Sequence, residues 1–385
     1  MTQDRELDRA LREFLADVDK VEAHAQYNKL EAYKPYQKQR EFHNMGSHKI
    51  ERLLSAGNQL GKVQPDEAKL LTPSGWTTMR EVAVGDTIIG GDGKPCKVTG
   101  KYPHTNWEFF TVEFDDGAQT QCGMEHLWKV KQGRKTIDGV RTFRDTWEVK
   151  SLADIVDFGG VNPKPTKRAV IPTPEWVLFD PHPTPIDPYL LGFLLGDGCF
   201  RGSSVSFSTA DREVVDIIGA IAPVAYRSKY DYGIVDCGEV KKALGDLYLW
   251  GLKSPDKFIP DAYLLNSPEV RLAILQGLMD SDGAITTDGA MDFSSTSIQL
   301  IRGVKFLVNS FGGKTKLETR QTYYTHAGEK KAGQPSYRLR IRLPQVTPFR
   351  LQRKVDRIIT PTSTCDERVM YKITSSHVRA LGTSI

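Results

Sequence analysis

Two stretches of the chain, "LLGFLLGDG" (190–198) and "LQGLMDSDG" (275–283), are two versions of one pattern. Each is an apolar run with small residues spaced four apart, and each ends in Asp-Gly. Each run is followed by a strand-like Phe-Ser pair, which begins at Phe207 in the first copy and at Phe293 in the second. The two apolar runs begin 85 residues apart, and the two Phe-Ser pairs begin 86 residues apart. Two matched features at one spacing predict a duplicated unit of helix, strands and helix, whose copies are related by a pseudo-two-fold axis.

The small residues predict how the two helices pack. Gly192 and Gly196 in the first helix, and Gly277 and Ser281 in the second, allow the helices to approach closely on one face. An acidic side chain at each helix end then meets its partner at the axis, and two neighbouring carboxylates repel unless a cation lies between them. The alternative for one copy is a buried apolar helix that ends at a glycine cap. The shared ending of both copies favours the paired interpretation.

Both stretches resemble the motif of the LAGLIDADG homing endonucleases. The segment "DKFIPDAYLLNSPEVRLAILQGLMDSDG" (256–283) resembles the lead-in to the second motif of members carried by inteins, and the resemblance spans roughly residues 185–353. It implies an α/β fold, double-stranded DNA as substrate and a metal-binding acid at the eighth motif position, which is Asp197 in one copy and Asp282 in the other. Two Asp that share Mg²⁺ would clamp the attacking and leaving oxygens of a phosphodiester.

Enzymes of this family also use a lysine in the strands after each motif. In the first copy, the position 22 residues after the Phe of the Phe-Ser pair is Lys229. The same count in the second copy reaches Thr315, which is flanked by Lys314 and Lys316, and the choice between these two lysines stays open. The alternative for each is an ordinary solvated surface lysine.

An arginine-rich strand is predicted near the end of this region. In "SYRLRIRLPQVTPFRLQRK" (336–354), Arg338, Arg340 and Arg342 alternate with apolar residues, so a strand would place the three guanidinium groups on one face. Three arginines without interspersed acids favour a track for the DNA backbone, with salt-sensitive affinity. The alternative is a half-buried strand with a solvated face.

Residues 63 to about 176 have a different texture, with short strands separated by Gly, Asp and Asn turns, which predicts an all-β module. The same texture returns at 359–374, so the α/β region is interpreted as an insert within this module. The segments "LLTPSGWTTMREVAVGDTIIGGDGKP" (70–95), "TQCGMEHLWKV" (120–130) and "TCDERVMYKIT" (364–374) resemble conserved blocks of inteins, the Hint-fold protein-splicing elements.

The resemblance also implies the splicing chemistry. Inteins normally begin with Cys or Ser, but Val63 stands at the start here, as in a less common class that uses a cysteine in the penultimate block. By this resemblance Cys365 is the nucleophile, His126 protonates the departing amide nitrogen, and Trp128 walls the site and positions the thiol. The alternatives are a buried free cysteine and two plain core residues. Gly123 replaces the Thr that is common three residues before the His.

The sequences at the two ends of the predicted splicing element bear on where it begins and ends. Ala56–Lys62 matches a phosphate-binding P-loop that includes Gly57, Gly61 and Lys62, but Val63 stands where the Mg²⁺-binding Ser or Thr belongs. We interpret this as a P-loop interrupted by the intein, so that ATP would bind only in the spliced host protein. At the other end, "SSHVRALGTSI" lacks the His-Asn that ends an intein, which predicts a truncated or degenerate final block.

The segment before the intein points to the host. Residues 1–62, with "YKPYQKQREFHNMG" (33–46), resemble the start of a phage terminase large subunit, and apolar residues at helical spacing predict a helix over residues 5–24. The host exteins would then be partners in cis. The rival is a P-loop DNA-packaging ATPase with an inactive insert, and a third reading is a degenerate intein that binds DNA without splicing.

Composition limits the remaining classes. Lys and Arg exceed Asp and Glu by only 52 to 48, so affinity for nucleic acid must come from a local patch. The charged N-terminus holds no signal peptide or membrane span, and no membrane partner is expected. The cysteines form no Cys-x-x-Cys pair, and their odd count favours a reducing cytosol, here the cytoplasm of a bacterial host cell of a phage or prophage. They are Cys96, Cys122, Cys199, Cys237 and Cys365.

The predicted architecture is multidomain. Residues 1–62 form a helical, terminase-like segment, and 63–180 form the first part of an all-β Hint splicing domain. Residues 181–354 form a duplicated α/β LAGLIDADG endonuclease with Mg²⁺ as cofactor, and 355–385 complete the Hint domain, for which no cofactor is expected. The predicted function combines protein splicing, which cleaves after Lys62, with cleavage of double-stranded DNA at the intein-less allele.

Overall fold

The computed structural model describes residues 63–132, 134–137, 140–143, 146–157, 164–165, 169–287, 289–326, 329–359 and 367–384. The chain divides into two compact units, 1–55 and 56–385, and every described residue belongs to the second. The predicted helix over 5–24, the P-loop residues and Cys365 lie outside the described residues.

The described chain begins with a module of short strands and a single helical turn. Gly and Asp turns close its hairpins, for example at Gly75, which adopts a φ of 127° at the start of the second strand of its hairpin. Its elements are β1 (Gln64–Pro65), β2 (Lys69–Thr72), β3 (Gly75–Thr78), β4 (Thr87–Ile89), β5 (Pro95–Lys97), β6 (Tyr102–Phe114), β7 (Gln119–Cys122), β8 (Leu127–Gln132), β9 (Arg134–Ile137), β10 (Val140–Phe143), β11 (Glu148–Ser151), α1 (Leu152–Ile155), β12 (Val156–Asp157), β13 (Lys164–Pro165) and β14 (Ala169–Pro172).

An α/β region follows, in which the same succession of elements occurs twice. Its elements are α2 (Pro188–Asp197), β15 (Gly198–Cys199), β16 (Ser206–Ser208), α3 (Arg212–Ile221), β17 (Val224–Ser228), β18 (Asp231–Ile234), α4 (Gly238–Asp246), a 3₁₀ turn (Ser254–Asp256), α5 (Asp261–Leu264), α6 (Pro268–Ser281), β19 (Gly283–Ile285), β20 (Met291–Ser295), α7 (Ile298–Ser310), β21 (Lys314–His326), β22 (Glu329–Arg342) and α8 (Gln352–Val355).

The last strand, β23 (Glu367–Ser384), returns to the β module. It lies in a seven-stranded sheet of order β11-β8-β14-β23-β6-β7, with β1 also paired to β23. Its far end pairs antiparallel with β1, where Thr383 lies opposite Gln64. The α/β region is therefore enclosed in sequence by strands of one sheet.

The two copies of the α/β region share one topology. Their sheets have the orders β15-β16-β18-β17 and β19-β20-β22-β21, all antiparallel, so each copy uses its four strands in the same arrangement. One core runs through both copies and includes Phe193, Phe207, Leu278 and Phe293, none more than 1% exposed. The predicted duplicated unit of helix, strands and helix is present.

Arg271 anchors the segment that leads from the β module into the α/β region. This fully buried residue of α6 donates to the carbonyl of Val177, to the hydroxyl of Ser310 and to the carbonyl of Asn266, and lies over Phe311. Burial lowers the pKa of its guanidinium to about 10, while the charge of Glu269 acts in the opposite direction. The connection between the two parts of the chain is thus held by packed, hydrogen-bonded groups.

Candidate functional site

Caps and prolines mark the N-terminal ends of the two motif helices, α2 and α6. Asp187 caps α2 by accepting from the backbone N–H of Leu190 at 3.0 Å, with Pro188 in the first turn. Helix α6 also starts at a proline, Pro268. Both helices carry apolar residues around most of their circumference, which is typical of helices buried at the centre of a domain.

Glycines set the distance between these helices. A Cβ at Gly192 would lie 2.2 Å from the carbonyl oxygen of Ile274, and one at Gly277 would lie 2.2 Å from that of Tyr189. At the C-terminal ends of the two helices, a Cβ at Gly196 would lie 2.0 Å from the hydroxyl of Ser281. The backbones are therefore in direct contact, as the small residues predicted.

The close approach brings Asp197 and Asp282 together at the ends of the helices. Both aspartates are reached by solvent although their carboxyls are partly buried, and Asp282 lies against the backbone at Gly196, the residue before Asp197. Partial burial raises the pKa of both carboxyls, and the charge of Asp197 raises the pKa of Asp282 further, to about 6. Two carboxylates that disfavour each other's ionisation form a site that a cation would stabilise.

Two buried lysines close the same helix ends. Lys257 donates to the carbonyls of Leu194, Gly196 and Gly198 at 3.1, 3.3 and 2.8 Å, and is 3% exposed. Each helix ends with carbonyls that lack a helical partner, so an ammonium group placed there satisfies them and complements the helix dipole.

The second copy repeats this arrangement. Lys354 donates to the carbonyls of Met279, Asp280 and Gly283 at 2.7, 2.8 and 2.7 Å, and is 5% exposed. Burial lowers the pKa of both lysines to about 8, while the neighbouring carboxylates act in the opposite direction. The site is thus a pseudo-symmetric set of two carboxylates and two ammonium groups.

The sequence did not single out these lysines. Lys257 lies in the apolar segment that precedes α6 and Lys354 lies in α8, and neither belongs to a strand. Among described residues, the cations that act on the pKa of both carboxyls are Lys257 and Lys354. A lysine inside an otherwise apolar run, as in "DKFIP", was the available signal.

The lysines predicted from the strand count lie on or next to strands of the two sheets. Lys229 is exposed in the turn between β17 and β18, with its ammonium 5.0 Å from the ring centroid of Tyr230. Lys314 and Lys316 lie on β21, opposite Arg342 and Arg340 of β22. Their catalytic role stays a prediction.

Asp280 has a structural role next to the site. It is 3% exposed and accepts hydrogen bonds from the Tyr189 hydroxyl and from the backbone N–H of Arg350, both at 2.9 Å, with Leu351 N–H at 3.3 Å. These bonds fix the segment that leads into α8. Asp280 therefore positions the helix that carries Lys354.

The chemistry of this site fits a hard cation such as Mg²⁺. Two carboxylates would supply oxygen ligands, and Mg²⁺ usually completes its coordination with water and substrate phosphate. No group of three or more His, Cys, Asp or Glu side chains that could hold a metal occurs in the part of the chain that the structure describes. A cavity of ≈ 240 Å³ next to Asp282 leaves space for a further ligand. It is lined by Leu195, Gly196, Ser254, Asp282, Ser294, Ser295, Thr296 and Ser336.

The arginine strand shows the predicted alternation. Leu339 and Ile341 are buried, whereas Arg340 and Arg342 are exposed. Arg338, however, forms an ion pair with Asp292 of β20, and Arg340 Nε lies 3.2 Å from a carboxylate oxygen of Glu318. The sequence of β22 alone did not reveal these acids because they lie on neighbouring strands.

The candidate splicing residues lie in the β module. The carbonyl of Val63 accepts a hydrogen bond from the backbone N–H of Gly123 at 3.0 Å, and His126 is 2% exposed. The rings of His126 and Trp128 are 5.1 Å apart between centroids. Cys122 is buried here as well, and burial raises the pKa of its thiol to about 12, so this cysteine is held as a neutral thiol.

The glycine at position 123 has a packing reason. A Cβ there would lie 2.5 Å from Nε1 of Trp107, so the indole occupies the space that a threonine side chain would need. The backbone N–H of Gly123 still reaches Val63. The structure thus brings Val63, Gly123, His126 and Trp128 into one part of the module.

No helix among the described residues has the length and apolar character needed to cross a membrane.

Comparison with known proteins identifies the second copy. Residues 269–344 match the family model of the LAGLIDADG-like domain, which confirms the predicted LAGLIDADG domain there. Over 288 residues the chain is 27% identical to the replicative DNA helicase DnaB of Mycobacterium intracellulare, a match that covers 70% of this chain and 46% of that protein. The chain therefore spans about half the length of that relative.

Among the solved structures similar to the chain are an intein splicing domain and a homing endonuclease. The Msm DnaB1 intein splicing domain bound with zinc is 38% identical, covers 17% of this chain and 54% of its own, and has a TM-score of 0.17. The homing endonuclease I-DmoI in complex with its target DNA in the presence of Mg is 14% identical, covers 41% of this chain and 89% of its own, and has a TM-score of 0.27. Likenesses this weak do not show the fold by themselves.

Proposed function

We propose that residues 185–353 are an endonuclease that hydrolyses phosphodiester bonds of double-stranded DNA with Mg²⁺ held by Asp197 and Asp282. The observation that carries this proposal is the exposed carboxylate pair at the ends of two contacting helices. The match of residues 269–344 to the LAGLIDADG-like domain supports it.

The residues of the chain divide the chemical work. Asp197 and Asp282 would bind the cation, which supplies Lewis acidity and an activated water when bound. Lys257 and Lys354 keep the helix ends capped and bring positive charge to within electrostatic reach of both carboxylates. That charge favours approach of the polyanionic backbone and stabilises charge that develops on the phosphate.

Removal of either carboxylate tests the endonuclease. The substrate is a duplex in which the codon of Lys62 is joined directly to the codon that follows the intein. Asp197→Asn or Asp282→Asn should abolish Mg²⁺-dependent cleavage and leave DNA binding within a few fold, because the amide keeps the shape but not the charge. Asp216→Asn is the control, since this exposed carboxylate of α3 pairs with Arg212. Cleavage by either site variant at the wild-type rate would refute the assignment.

We further propose that the β module is an intein. The observation that favours this function is the cluster in which Gly123 donates to the Val63 carbonyl next to buried His126 and Trp128. In the proposed reaction the thiolate of Cys365 attacks the carbonyl carbon of Lys62. The bond to the nitrogen of Val63 breaks, His126 protonates the departing amine, and Lys62 becomes a thioester.

Thiol-induced cleavage tests the splicing residues. Added thiol should release a fragment that ends at Lys62, as measured by mass spectrometry, because it intercepts the thioester. Cys365→Ala should eliminate this release, and Val63→Ala should leave it largely intact since Val63 is not a nucleophile. Cys237→Ala is the control for loss of one thiol from the α/β region. Release that persists in Cys365→Ala would refute the mechanism.

The terminase host, the interrupted P-loop and the location in a bacterial cytoplasm complete the proposal. They rest on the sequence of residues 1–62 and on composition. The alternative, a P-loop ATPase with an inactive insert, would need nucleotide hydrolysis by the unspliced chain, in which Val63 replaces the Mg²⁺-binding hydroxyl.

A further inference from the structure

The sheets of the two copies differ in charge, although their topology is the same. We call the side of each sheet that faces away from the buried core its outer face. In the second copy the register places Arg338, Arg340 and Arg342 on this face, while Phe293 and Leu339 are buried on the other. The outer face also carries Asp292, Ser294, Lys314, Lys316, Glu318 and Arg320. Cations on this face therefore outnumber acids by six to two.

The outer face of the first copy is nearly uncharged. Its residues are small or neutral, apart from Asp231 and Arg227, and the guanidinium of Arg227 covers Gly233 and donates to Ser204 at 2.9 Å. The other outer-face residues with side chains are Cys199, Ser206, Ser208, Ala225 and Ser228. Because phosphate contacts supply most of the salt-dependent affinity for DNA, the two copies offer unequal binding strength.

The second copy also carries an extension that the first lacks. Strand β20 pairs with β22 only as far as Ser295 opposite Tyr337, yet β21 and β22 remain paired to His326 opposite Glu329. We call this two-stranded part, residues 320–326 and 329–336, the arm. In the first copy the pair Ser208–Asp231 ends the sheet, so nothing projects beyond it. Seven residues at about 3.3 Å each extend about 23 Å, the length of about seven base pairs.

The surface of the arm is suited to nucleic acid. Tyr323 and Tyr324 are 57% and 55% exposed, and the ammonium of Lys330 lies 4.6 Å from the ring centroid of Tyr323. Lys331 lies opposite Tyr324, and Arg320, in the first pair of the arm, continues the cationic outer face into it. A two-stranded ribbon fits the major groove of B-form DNA, and cations along it would contact phosphates on either side. The alternative, a solvated hairpin, does not account for the continuity with the basic face.

We propose that the second copy is the anchoring half of the DNA interface and that the arm binds duplex beyond the cleavage site on one side only. This inference rests on the proposed endonuclease function. Contact with the target is consequently asymmetric: one half-site supplies most of the salt-dependent affinity, and protection by protein extends about seven base pairs further on that side.

Removal of charge from the arm tests the anchoring role in the full chain. The probe is a fluorescein-labelled, random-sequence duplex of about 40 base pairs, titrated at several salt concentrations, because affinity falls with salt by a slope of about 0.9 for each phosphate contacted. The variant Arg320→Gln/Lys330→Gln/Lys331→Gln should reduce this slope by about two to three and weaken binding at least about tenfold near 0.15 M salt.

The matched control removes three cations from helices of the first copy. Arg212, Lys241 and Lys242 lie on α3 and α4, which pack on the core side of the sheet. Replacing all three with Gln should change the affinity less than about twofold. Equal effects of the two triple variants, or an unchanged slope in the arm variant, would overturn the proposal.

A footprint tests the asymmetry directly. Hydroxyl-radical protection on duplexes selected from a randomised pool should extend further on one side of the cleavage site. Replacing residues 321–335 with Asn-Gly, a two-residue hairpin turn, should remove that excess and leave the other side unchanged. Thermal unfolding checks that the shortened chain folds. A symmetric wild-type footprint would refute the inference. A wild-type chain that binds no duplex at all would refute the proposed function as well.

Discussion

Insertion of one methyl group between the motif helices should disable the nuclease site. In Gly192→Ala the new Cβ would lie 2.2 Å from the carbonyl oxygen of Ile274, where ordinary contacts are 3.4 Å or more. The contacting atom belongs to the backbone, so it cannot rotate away as the end of a side chain could. The helices must therefore separate by about 1 Å to reach a close but tolerated contact distance. Overpacking of this kind costs about 1–3 kcal/mol.

The displacement matters more for function than for stability. Asp197 and Asp282 lie at the ends of the same two helices, so a separation of about 1 Å exceeds the tolerance of about 0.2 Å for metal–ligand distances. A misplacement of this size costs about 100-fold in rate. We expect Gly192→Ala to lower the melting temperature modestly and Mg²⁺-dependent cleavage by about two orders of magnitude.

The assay pairs thermal unfolding with cleavage kinetics, using Gly219→Ala as the matched control. Nothing lies within 4 Å of a Cβ at Gly219 in α3, so this variant should gain about 0.5–1 kcal/mol from helix propensity and keep its activity. If Gly192→Ala cuts DNA at the rate of the control, close helix contact does not set the carboxylate geometry.

Two further predictions follow from the pKa shifts at the site. Lys257 has a folded-state pKa near 8, below its ordinary 10.5, so the native state loses this proton at a lower pH than the unfolded state does. The free energy of unfolding, measured in urea, should therefore rise between about pH 8 and 10.5. Lys257→Met should show a smaller rise. Asp282 has a raised pKa of about 6, so its charge disfavours the metal-free fold above that pH. Asp282→Asn should therefore raise the melting temperature at pH 8 without metal, an advantage that should disappear below about pH 4. An Asp282→Asn chain that melts at or below the wild-type temperature at pH 8 would contradict this reasoning.

Much of the architecture follows from local pattern. The duplicated runs that end in Asp-Gly predicted the two helices, and the small residues predicted their direct contact, because a missing side chain is visible in sequence and has one geometric consequence. The alternation of Arg340 and Arg342 with buried Leu339 and Ile341 followed in the same way from the two-residue period of a strand.

The sequence determined which residues form each helix and strand of the site, because the periods of 3.6 and 2 depend on neighbouring residues alone. Only the tertiary structure decided which charges share a site. Lys257 and Lys354 reach the helix ends from segments far away in the chain, Asp292 pairs with Arg338 across two strands, and the arm exists in one copy only. Such contacts depend on how buried backbone carbonyls and charges find partners after the chain has folded, and a linear pattern does not encode the distance between them.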